Sequence, residues 1–66
     1  MNWSKIIKDL RNKMLLSQTE LANLLGVSFA SINRWENGHN EPTINIKRKI
    51  KELCDREKII IDSMSE

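Results

Sequence analysis

The sequence predicts an all-α fold, a compact bundle of four to five helices, on three observations. Its 66 residues include only two glycines and one proline, while Lys, Glu, Leu, Ile and Asn abound, a composition that favours helices over a turn-rich β architecture. Apolar residues recur at steps of three and four rather than alternating. Capping residues stand just before three of the apolar runs, at Ser17, Ser28 and Thr43.

A chain of this length holds one hydrophobic core and no second domain. No apolar run exceeds three residues, the last being Ile59 to Ile61. That is too short for a membrane span or the core of a secretory signal, so a cytoplasmic protein is expected. Cys54 is the single cysteine and His39 the single histidine, which excludes an internal disulfide and the usual Cys/His metal sites. Neither metal nor cofactor is expected, and packing alone must hold the fold. The formal net charge of +2 names no partner, yet residues 1–53 carry nine basic and five acidic groups and residues 54–66 carry two and four. An electropositive body with an acidic tail suits a polyanion, although ordinary solvated helix faces would look the same on charge alone.

Trp3, Ile6, Ile7, Leu10 and Met14 share one face and predict an amphipathic helix from Trp3 to about Met14. The second helix is announced by its start signal. Ser17 can cap it, Glu20 three residues on completes a capping box, and Leu16 is placed to staple onto Leu21. It carries Leu21, Ala22, Leu24 and Leu25, then stops at Gly26, which accepts the left-handed conformation of a helix end without a Cβ penalty. Val27 and Ser28 repeat the device, Ser28 as the cap of a third helix and Val27 as a staple onto Ile32. The third helix runs to about Asn37, where Asn37-Gly38 is a turn dipeptide, and a polar loop over 38–42 closes at Pro42. Thr43 is the expected cap of a fourth helix, with Ile46, Ile50, Leu53 and Cys54 on one face and Lys47, Arg48, Lys49 and Lys51 on the other. Beyond Asp55 the pattern fades. Ile59 to Ile61 fit a helix extension, a separate short element or packing against a second copy of the chain. The domain reading is a body at 1–55 and a C-terminal tail at 56–66.

Two short helices joined by about three residues, with glycine at the junction, must cross steeply. Ala22 supplies the small residue that such a crossing needs, above a floor of Leu21, Leu25, Val27, Ile32 and Trp35. Helical geometry then turns Ser28, Ile32, Trp35 and Glu36 inward on the third helix and Ala30, Asn33, Arg34 and Asn37 outward, with Phe29 and Ser31 on the flanks. A protruding helix with a polar, basic face fits the DNA major groove. There an Arg fork reads guanine, an amide reads adenine, and a small apolar group touches a thymine methyl.

Leu10-Arg11, Leu16 to Ala22, Leu25 to Ser28, Ile32 to Gly38 and Pro42 together resemble the Cro and phage-repressor type of helix-turn-helix protein, also called the xenobiotic response element family. The resemblance covers roughly residues 3–54 without an insertion. It implies a compact four- to five-helix bundle of the lambda-repressor-like type and a set of site residues. By that likeness Gln18 would hold a phosphate at the start of the second helix, with Ser17 beside it. Phe29, Ala30, Asn33 and Arg34 would read bases, Ser28 and Ser31 would donate hydroxyls, and the loop of Asn37, Gly38, His39 and Asn40 would lie along the duplex backbone. Arg11 and Glu36 match a structural ion pair of the family. Three features depart from the pattern. Leu15 stands where relatives often have glycine or a polar residue, Phe29 replaces a polar reader, and residues 55–66 show no clear fifth helix, which leaves the mode of dimerisation open.

Individual residues also have plainer readings. Trp35 belongs with Ile32 in the core, and Trp3 covers the core or a subunit interface. Phe29 fits a base or sugar contact or a fold back onto the core. An inward Arg34 would bury a charge beside Trp35, which favours the outward placement. Lys47 to Lys51 fit a solvated face or phosphate contacts, and His39 and Cys54 have no partners at catalytic spacing. The reading that results is a non-enzymatic, sequence-specific double-stranded DNA-binding transcriptional regulator, a repressor acting as a homodimer on a palindromic operator. The alternative is an antitoxin whose tail, Ile59 to Glu66, wraps a toxin partner while the body represses its own operon.

Overall fold

The computed structural model of the chain describes residues 2–60. Its first helix, α1 (Trp3–Lys13), opens at Asn2, whose side chain accepts from the Lys5 N–H, an N-cap that the apolar periodicity alone did not signal. α2 (Gln18–Leu25) starts on the capping box: Ser17 Oγ accepts from the Glu20 N–H at 3.0 Å, and the Ser17 N–H donates to Glu20 Oε1 at 2.9 Å. α3 (Phe29–Glu36) starts at Ser28, whose Oγ accepts from the Ser31 N–H at 3.1 Å. It ends one residue before the expected Asn37, which serves as its C-cap. α4 (Ile44–Arg56) begins at Thr43. Here the expectation of a side-chain cap fails: Thr43 has the extended backbone of a cap, but its side chain accepts nothing from the first turn. The helix start is instead set by the Lys47 N–H bonded to the Thr43 carbonyl at 2.9 Å, just after Pro42, which is buried.

All four helices end alike. One residue turns left-handed and the next sends its N–H back over the last turn, which satisfies carbonyls a helix end would otherwise orphan. The left-handed residues are Leu15 (φ 57°), Gly26 (φ 72°), Gly38 (φ 76°) and Lys58 (φ 56°). The returning bonds run from Leu16 to Arg11, Val27 to Ala22, His39 to Arg34 and Ile59 to Cys54, at 2.8–3.0 Å. The chain's two glycines thus close the two helices of the central pair, whereas Leu15 and Lys58 hold a conformation that side chains disfavour. Leu16, Val27 and Ile59, each next after a turn, pack against the core.

Every helix supplies that core: Ile6, Ile7 and Leu10 from α1, Leu21, Ala22 and Leu25 from α2, Ile32 and Trp35 from α3, and Ile50, Leu53 and Cys54 from α4. Burial pushes the Cys54 thiol above its ordinary range. α1 and α2 both pack on α3, and α2 also meets α4. The central pair is therefore held from two sides while one face of α3 stays free. After α4, Ile59 joins this molecule's own core and Ile60 is exposed, its carbonyl accepting from Lys13 Nζ. No fifth helix follows among the described residues, and the tail roles read onto residues 61–66 lie outside them. Among the described residues no helix is long and apolar enough to cross a membrane.

Candidate nucleic-acid interface

Ile32, Trp35 and Glu36 are buried on α3, and Ala30, Asn33, Arg34 and Asn37 are exposed, the division that helical periodicity imposes on an amphipathic segment. Ser28, expected on the inward half, is exposed because as N-cap it stands one residue outside the helix. Its hydroxyl lies 3.0 Å from that of half-buried Ser31. Phe29 is 51% exposed and does not join the apolar side chains packed on the core. Among the described residues no carboxylate pairs with Arg34. The outward face therefore presents an amide, a guanidinium and a small methyl within two helical turns.

Beside this helix, the start of α2 is tied to it through one carboxylate. Glu36, 3% exposed, accepts from Arg11 Nε at 2.8 Å, Arg11 Nη2 at 3.1 Å and Gln18 Nε2 at 3.2 Å. The Glu36 hydrogen bonds raise the Arg11 guanidinium further above its ordinary value. Arg11 Nη1 also donates to the Leu16 carbonyl at 3.2 Å, and Ser4 Oγ donates to the Glu36 carbonyl. Gln18 is thus half-buried and engaged, with its second amide hydrogen still unspent. Asn37, Gly38, His39 and Asn40 are exposed in the loop that leaves α3. Gly38 and Asn40 border a recess of about 290 Å³ between that loop and the start of α1, lined also by Trp3 and Trp35.

Three side chains here make contacts that carry no local sequence signal. Gln18 meets Glu36 across 18 positions. Lys49 Nζ reaches the Leu25 carbonyl at 3.3 Å, where a cation complements the C-terminal end of α2. Lys47, grouped in sequence with a uniform basic face, is held between Glu41 Oε1 at 2.8 Å and the Trp3 ring, 5.2 Å from its centroid. Lys47 in turn keeps the Glu41 carboxyl below its usual range. Arg48, Lys49 and Lys51 remain exposed. A larger groove of about 490 Å³ between α2 and α4 is bordered by Lys49 but by none of the candidate contact residues of α2, α3 and the loop after α3.

A family model described as helix-turn-helix matches residues 7–57. A Pyrococcus abyssi protein, named as a candidate HTH-type transcriptional regulatory protein, is 43% identical over 51 residues that cover 77% of this chain and 16% of the relative. A similarly named Pyrococcus furiosus protein is 39% identical over 49 residues, 74% of this chain and 16% of the relative. The chain therefore spans less than a fifth of the length of these relatives. No solved structure matches it at the same stringency.

Proposed function

The chain belongs to the helix-turn-helix family, of the Cro and phage-repressor type, and from that premise we propose that it is a transcriptional repressor binding a palindromic DNA operator as a homodimer. It acts in the cytoplasm, without catalysis of its own. One observation carries this reading: Ala30, Asn33 and Arg34 stand exposed along a helix whose opposite face, Ile32 and Trp35, is core. Asn33 and Arg34 offer the donor and acceptor patterns that adenine and guanine match in the major groove, and Ala30 with Phe29 offers apolar surface to thymine methyls. Phosphates would be held by Ser17, Gln18, Ser28, Ser31 and the loop of Asn37, Gly38, His39 and Asn40, which sets register and leaves discrimination to α3. Ser17 and Ser28 already accept backbone N–H bonds, and one hydrogen is shared between the Ser28 and Ser31 hydroxyls, so Ser17 and one member of that pair keep the donor that a phosphate needs.

Size supports the pairing. The longest extent of the described body is 26 Å, short of the ~34 Å between successive major grooves on one side of a duplex. One such body reaches one groove, and a single module of this size offers little area for tight specific binding. The names of the two Pyrococcus relatives support the regulatory reading.

Selection of random oligonucleotides by the purified protein at stated salt is the direct test. A two-fold symmetric site should emerge. Failure to enrich any sequence, with no retention of duplex at low salt, would overturn the proposal.

A further inference from the structure

We propose that Glu36 is a positioning residue for Gln18, fixing which edge of the Gln18 amide faces the duplex. This rests on the phosphate role given to Gln18 above. An ionised carboxylate only accepts, so the bond from Gln18 Nε2 to Glu36 Oε1 at 3.2 Å requires the nitrogen, not the oxygen, to face Glu36. The remaining Nε2 hydrogen then points away from the carboxylate. A phosphate also only accepts, and an amide turned to show its oxygen would lose the contact.

The carboxylate itself cannot drift. It is 3% exposed and gripped by Arg11 through Nε at 2.8 Å and Nη2 at 3.1 Å. Arg11 Nη1 reaches the Leu16 carbonyl at 3.2 Å, two residues before Gln18. A single guanidinium therefore holds both the carboxylate that orients the amide and the backbone that leads into its helix. Glu36 lies in the last turn of α3, so this link also sets the phosphate contact in register with the base-reading face.

The test is a double-mutant cycle on the full chain, Glu36→Gln and Gln18→Ala singly and together, read as affinity for a random-sequence duplex at fixed low salt, with folding verified by circular dichroism. In Glu36→Gln the new amide has one acceptor oxygen, which Arg11 claims, and its NH₂ invites the Gln18 amide to flip. Gln18→Ala should weaken binding roughly five- to tenfold. Glu36→Gln should weaken it by a similar factor in the wild-type background and no further in Gln18→Ala. The same loss in both backgrounds would overturn the proposal, because Glu36 would then act through something other than Gln18. An unchanged affinity of Gln18→Ala would remove the phosphate role and this inference with it, leaving DNA binding intact, whereas no duplex binding by the wild type would remove the functional reading itself. Should Glu36→Gln unfold, side-chain ¹⁵N relaxation of wild-type Gln18 decides the matter. An order parameter close to that of the α2 backbone supports the proposal, and one as low as that of exposed Asn45 overturns it.

Discussion

Arg34 leaves the last turn of α3 with its guanidinium in solvent, and Trp35 beside it turns into the core. On the proposed function, Arg34→Ala should cost about 1–3 kcal/mol of binding and relax preference at one base pair. Competition among single-base variants of the selected operator would measure it, and equal losses on every variant would contradict base reading. Leu15 poses the opposite problem, a 90% exposed side chain at φ 57°. Its left-handed backbone costs roughly 1–2 kcal/mol, while glycine adds only about 0.4–1 kcal/mol of freedom to the unfolded chain. Leu15→Gly should therefore raise stability by roughly 0.5–1 kcal/mol, visible as a higher denaturant midpoint, since no core contact is lost. The inward and outward division of α3 was legible residue by residue because helical period decides it. The link from Gln18 to Glu36 was not, because the expected crossing of two helices does not say which of their side chains meet.

At the scale of elements, helix starts and stops were readable wherever the signal is local. The capping box at Ser17 and Glu20 and the closure at Gly26 involve neighbours within five positions, and the structure contains both. Thr43 marks the limit of such reasoning, for its place at the start of α4 was legible and its missing side-chain bond was not. Lys47 marks it too: sequence groups it with a basic face, and tertiary contact hands it to Glu41 and Trp3. Ser17→Ala should cost about 1 kcal/mol by leaving the first turn of α2 uncapped. The box should also respond to acid. The hydrogen bond from the Ser17 N–H holds the Glu20 carboxyl below its ordinary value. Its stabilisation is therefore present above the unfolded glutamate value and lost as pH falls through the lower folded one. Unfolding free energies measured down through that acid window should fall less steeply in Glu20→Gln than in the wild type. Parallel curves would count against the box.

For the whole molecule, the all-α class and the central pair of helices were legible because patterning and composition agreed, and the family match over residues 7–57 bears out the resemblance. What copies of the chain do together was not. No local pattern specifies a surface that forms only between two molecules. Sedimentation of the protein with a palindromic duplex should give two chains per duplex, and saturation at one would exclude the proposed pairing. Affinity should also drop steeply with salt, by close to one power of concentration per phosphate neutralised. A slope near zero would mean that no lysine or arginine beside the interface meets a phosphate, since the amides of Asn37 and Asn40 neutralise none.

Leu16 and Val27 each finish one helix and lead into the next within a single residue. The joints on either side of α2 therefore contain almost no slack chain to be immobilised when the surface docks. The entropy that flexible loops forfeit on association is already spent in folding. Calorimetry should register this as a modest negative heat-capacity change, of the size expected from drying the contact area alone, without the larger signature of a segment that folds as it binds.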